Sequence, residues 1–156
     1  MALDRSLNYL VGDWVDDRRS GEPGTATAGG ESWRVDLGGQ VLIRMGWCEF
    51  PATTSRPAFR HEDLLILYPE GDDAMRGIFW DNEGHTIHYP NVTMQPGGKG
   101  IMLSSERSVP GPRQQLLYDF AEPDRLAAVF SLLVPGSPDF RPYLTWTSRR
   151  SKPRPE

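Results

Sequence analysis

Nine clusters of turn-forming residues divide this chain, and they constrain its fold more than any other feature. They are SGEPG near Gly21, LGG at Gly38, ATTSRP near Pro57, PEGDD at Gly71, DNEG at Gly84, QPGGKG at Gly97, VPGP at Gly111, EPD at Pro123 and PGSP at Gly136. Between them lie short runs rich in Val, Ile, Leu, Thr and aromatic residues, which suit a pleated, half-buried surface. Nine interruptions leave about ten strands. The connections are hairpin-length and leave no room for helices, so strands adjacent in sequence pair antiparallel in space. Such a sheet must hide its edges, and closing it into an up-and-down barrel does so while leaving room for one small ligand. A two-sheet sandwich is the competing fold. It needs long crossover connections, and only Ala52 to Pro57 could supply one.

The chain is thus expected to be all-β: a closed antiparallel up-and-down barrel of about ten strands. Leu3, Leu7, Leu10 and Val11 fall on one face of a short N-terminal helix that ends at Gly12. The 156 residues fit one barrel domain over residues 1–150, followed by a disordered, basic, Pro-containing tail over 151–156. The tail and the strand end before it hold the one basic cluster, Arg149, Arg150, Lys152 and Arg154, which reads as a solvated end.

Composition narrows the function. A formal charge of −4 without another cationic patch argues against nucleic acid as partner. No apolar run is long enough for a membrane span, and MALDRSLNYLVGDW lacks the parts of a secretory signal, so a cytoplasmic location is expected. The single cysteine, Cys48, excludes an internal disulfide and a cysteine-based zinc site. There is no phosphate-cradling loop and no nucleophile elbow; QPGGKG precedes no helix and reads as a hairpin turn.

Two of the three histidines lie in FWDNEGHTIHYP. Asp81 and Gly84 suit the first and last positions of a type I turn, which makes this a hairpin tip. Asp81 then faces His85, Trp80 faces Thr86, Phe79 faces Ile87 and Ile78 faces His88. His85 and His88, an odd number apart, point to opposite faces and cannot share a metal, and no metal is expected. His85 reads as the cross-strand partner of Asp81. His88 shares a face with Trp80, Ile78, Thr86 and Arg76, a mixture of apolar walls and polar handles such as ligand cavities use. Phe79, Ile87 and Tyr89 occupy the other face, and spacing alone leaves open which face looks inward.

Arg44, Glu62, Asp63, Tyr68 and Tyr118 are further polar groups set in apolar strands. Inside a barrel, Arg44 could grip a carboxylate or phosphate and a buried Glu62 could act as general acid or base; outside, each is a solvated face. Tyr68 and Tyr118 could pack in the core or line a cavity. His61 and Asp63 share one face and form the only local acid/base pair. The expected ligand-binding set is His88, Trp80, Arg76, Tyr68, Arg44, Glu62 and Tyr118.

LNYLVGDW, LGGQVLIR, HEDLLILYPEGDDAMRGIFWDNEGHTIHYP and FRPYLTWTSRR together resemble a bacterial family of lipocalin-like, calycin-type barrels. The resemblance covers nearly the whole chain and implies the barrel of lipocalins and fatty-acid-binding proteins. It also implies that Trp14, after Gly12, packs beneath Arg149 or Arg150 and closes one end. Some such barrels hold haem through a late histidine. None follows His88 here, and no cofactor is expected. The expected function is binding of a small hydrophobic or amphipathic molecule in the central cavity. The alternative is an enzyme of small-molecule metabolism that cyclises, isomerises or hydrates its substrate by acid/base catalysis through His88 or Glu62. Aromatics on the outer wall would instead suit an interaction module or homodimer.

Overall fold

The computed structural model describes residues 3–21, 26–106 and 111–152, with the backbone alone at 18–21. Its ten strands are β1 (Gly12–Gly21), β2 (Ala28–Asp36), β3 (Val41–Phe50), β4 (Phe59–Glu70), β5 (Ala74–Asp81), β6 (Thr86–Met94), β7 (Gly100–Ser104), β8 (Arg113–Asp119), β9 (Arg125–Leu133) and β10 (Arg141–Arg150). Each pairs antiparallel with its neighbours in sequence, and β1 pairs with β10 to close the barrel. The turn clusters at Gly38, Gly71, Gly84, Gly97, Pro123 and Gly136 fall between these strands. Parts of the SGEPG and VPGP clusters lie outside the described residues, as does the end of the expected tail, including Arg154.

The N-terminal helix is a single 3₁₀ turn, Arg5–Tyr9, capped by Asp4, whose carboxylate accepts from the Ser6 amide at 2.9 Å. Leu7 and Leu10 are fully buried and plug one end of the barrel. Beyond the plug, the Trp14 indole donates to the Leu10 carbonyl at 2.8 Å. Arg150, directly opposite Trp14 on β10, lies 4.2 Å above the indole and 5.3 Å from the Tyr9 ring. It also donates to the Val11 and Tyr9 carbonyls at 2.8 and 2.7 Å. Arg150 rather than Arg149 therefore closes this end; Arg149 points outward and binds Asp17 at 2.8 Å.

Inward positions alternate along β3, β4 and β8, while β1, β5–β6 and β9–β10 carry register shifts. Leu42, Leu65, Leu67, Tyr89, Ile101, Leu103, Tyr118 and Leu126 are almost entirely hidden and form the core with Trp14 and Trp33. Tyr118 meets the rings of Trp33 and Trp146 edge-on, with centroids 5.3 and 6.0 Å away. This core fills the half of the barrel nearest the N-terminal plug. No helix of the described residues is long and apolar enough to cross a membrane.

Candidate functional site

The far half of the barrel is open. A cavity of about 610 Å³ reaches from the core to a mouth beside the β5–β6 hairpin. Its walls include Phe79, Ile87, Leu116, Phe130, Leu144 and Trp146, and polar groups interrupt them at two levels.

The deeper level is built around Arg44. β3 buries Leu42, Arg44, Gly46 and Cys48 in alternation, so the guanidinium points inward. Only 5% of its side chain is exposed, and it is gripped by two carboxylates, Glu31 from β2 and Asp63 from β4. Its guanidinium carbon lies 5.9 Å from both the Tyr118 and Trp146 rings. Tyr118 donates to Glu31 Oε2 at 3.1 Å, which leaves Glu31 Oε1 buried without a hydrogen-bond donor among the described residues. Burial alone would lower the proton affinity of Arg44, but the charges of Asp63 and Glu31 outweigh it and hold the group charged. Burial raises Asp63, yet the Arg44 charge and the His61 contact together keep its carboxyl below the usual range. Burial pushes the Tyr89 and Tyr118 phenols up, so both stay neutral donors. Gly46 makes room for the cluster: a Cβ there would stand 2.6 Å from Asp63 Oδ1 and 2.7 Å from Arg44 Nη2.

The upper level lies at the mouth. His61 Nε2 is 3.3 Å from Asp63 Oδ2 and its Nδ1 is 2.7 Å from Glu83 Oε1. The bond to Asp63 raises the His61 pKa, burial opposes this, and Glu83 adds to the rise. Asp81 accepts from the Glu83 and His85 amides at 3.0 and 2.9 Å, and its second oxygen meets His85 Nδ1 at 2.8 Å. The expected pairing of His85 with Asp81 is thus present, and both lie on the cavity rim.

Of the seven residues expected to bind ligand, Arg44 lines the cavity and Tyr118 lies buried beneath it. The other five stand outside the barrel. The hairpin register is the one expected, with Ile78 opposite His88 and Phe79 opposite Ile87, but its inner face carries Phe79, Ile87 and Tyr89. His88 is exposed on the outer face. Arg76 lies outside in a salt bridge with Glu70, opposite Tyr68 on the same outer face. Glu62 meets Arg60 at 3.1 Å and, with Trp80, borders a more open outer groove, also of about 610 Å³, that includes Val15, Met45 and Trp47. The physical reason is apolar burial. Turning the hairpin over would expose Phe79, Ile87 and Tyr89, each worth about 1.5–3 kcal/mol buried, and would bury Arg76, His88 and Thr86 along with Ile78 and Trp80.

His61 and Asp63 are brought together as their shared face requires. Tyr89 and Trp146 line the cavity and Glu31 pairs with Arg44 behind its lining, although no local motif marks them; Asp81, marked only as a turn residue, lines it too. One signal does exist for Glu31: it lies in phase with buried Trp33, two residues on, so it points inward too.

No protein-family model matches the chain, and no curated protein matches it. Among solved structures it is similar to Rv2717c from M. tuberculosis, with a TM-score of 0.66 at 15% identity over 96% of this chain and 99% of the other. At that identity the similarity establishes the barrel fold and nothing finer.

Proposed function

We propose that this protein is a small-molecule-binding barrel of calycin type that holds an amphipathic ligand in its open half. The observation that carries this is the cavity itself. Its volume of about 610 Å³ falls in the range of about 300–1,000 Å³ that suits small ligands, and its apolar wall with few polar groups is the usual lining of such sites. The Arg150–Trp14 closure at the opposite end supports the calycin-type reading. Titration with the uncharged fluorophore 1-aminoanthracene tests it. Saturable 1:1 binding with affinity in the micromolar range is expected. Ile87→Trp, which places an indole inside the mouth, should weaken it at least tenfold. Equal binding by wild type and variant would count against the reading.

A second reading, acid/base catalysis in the same cavity, is favoured by one observation. His61 lies at the mouth between two carboxylates, a position from which an imidazole can pass a proton to a bound substrate. This role falls to His61 because His88 and Glu62 stand outside the barrel. Incubating cell extract with wild type and with His61→Gln, then comparing metabolites by mass spectrometry, separates the two. Conversion lost in the variant while 1-aminoanthracene affinity is kept supports catalysis; no conversion by either supports carriage.

A further inference from the structure

We propose that the cavity selects ligands with a cationic head, such as a protonated amine on an apolar body, and disfavours carboxylates. The proposal rests on the barrel's being a ligand chamber and specifies what enters it.

An arginine inside a barrel invites the opposite expectation, that it receives an anionic head. Here its partners decide otherwise. Arg44 already holds Glu31 and Asp63, both nearly buried, so its positive charge is more than matched before any guest arrives. An incoming carboxylate would have to displace one of them, leaving a buried unpaired charge. It would first pass Asp81 and Glu83 at the mouth. Counting the cavity-lining Arg44, Asp63, Asp81 and Glu83 with ionised carboxylates, the polar groups carry −2 when His61 and His85 are neutral and 0 when both are protonated; Glu31, which pairs with Arg44 from behind the lining, adds a further −1. Together with Glu31 behind it, the chamber is negative in every protonation state of its histidines.

The wall favours a cation: it presents aromatic rings, Phe79, Tyr89, Phe130, Tyr143 and Trp146, whose faces attract cations and offer nothing to anions.

The experiment uses three probes that differ only in the head: octylammonium, octanol and octanoate, each displacing 1-aminoanthracene at neutral pH. Octylammonium should bind at least about tenfold more tightly than octanoate, with octanol between them, a difference of about 1.4 kcal/mol or more. Ile87→Trp should lose octylammonium binding, which separates the chamber from attraction to the acidic surface. Octanoate equal to or tighter than octylammonium overturns the head assignment and leaves the chamber standing. Octylammonium bound equally by Ile87→Trp also overturns it, because the cation then sits outside. If 1-aminoanthracene itself does not bind, and no probe binds by calorimetry, the chamber reading and this proposal fail together.

Discussion

Arg44 shows how one buried side chain can organise the polar groups around it. Two charged partners and two aromatic rings hold it, and their removal has unequal consequences. Arg44→Met leaves Glu31 and Asp63 buried without their cation, and chemical denaturation should show a loss of about 3–5 kcal/mol. Gly46→Ala should also destabilise, by about 1–3 kcal/mol, because the new methyl meets Asp63 Oδ1 and Arg44 Nη2 inside contact distance. His61 and Asp63 shape the pH dependence in opposite senses. His61 has a folded pKa above its ordinary 6.5, so its contribution is complete below that value and lost as pH rises through the folded pKa. Asp63 has a folded pKa below its ordinary 3.8, so its contribution is complete above 3.8 and lost as pH falls through the folded pKa. Melting temperature should therefore plateau between these limits and fall on both sides. His61→Gln should flatten the alkaline limb and reduce the acid limb to the part that Arg44 holds; an unchanged alkaline limb would contradict the assignment.

At the scale of elements, the β5–β6 hairpin separates what the sequence makes legible from what it does not. Its register followed from Asp81, Gly84 and the three-residue loop, because turn chemistry is local. Its inward face did not, because both faces carry large apolar groups and the choice depends on strands far away in sequence. That is why His88 and Trp80, both in the expected ligand set, stand outside, while Arg44, whose side was left open by its strand, points inward. Glu31 and Arg44 meet across β2 and β3, and Asp63 joins them from β4, a convergence that no spacing within one strand reveals. The N-terminal plug was legible from Leu7 and Leu10 as a helix, although only one 3₁₀ turn forms before Gly12. Arg150 is predicted to hold this end together. Arg150→Ala should cost about 3 kcal/mol by thermal or chemical denaturation, through the lost contact with Trp14 and two abandoned carbonyls. Arg150→Lys should recover only part of it, because an ammonium cannot stack and fork at once.

The whole molecule is a ten-strand barrel divided along its axis: one half filled by the aromatic core, the other open. The turn clusters made the strand count and closure legible, since each strand needed a partner and the last strand's partner was the first. They said nothing about where the interior would be solid, which depends on side-chain volumes summed around ten strands. The central claim is that the open half accepts a guest. A crystal structure of the protein grown with 1-aminoanthracene tests it most directly. The account predicts one fluorophore inside the barrel, against Leu116, Phe130 and Trp146 and short of Arg44. An interior closed by rearranged side chains, with the fluorophore absent or lying in the outer groove beside Trp80, would contradict it.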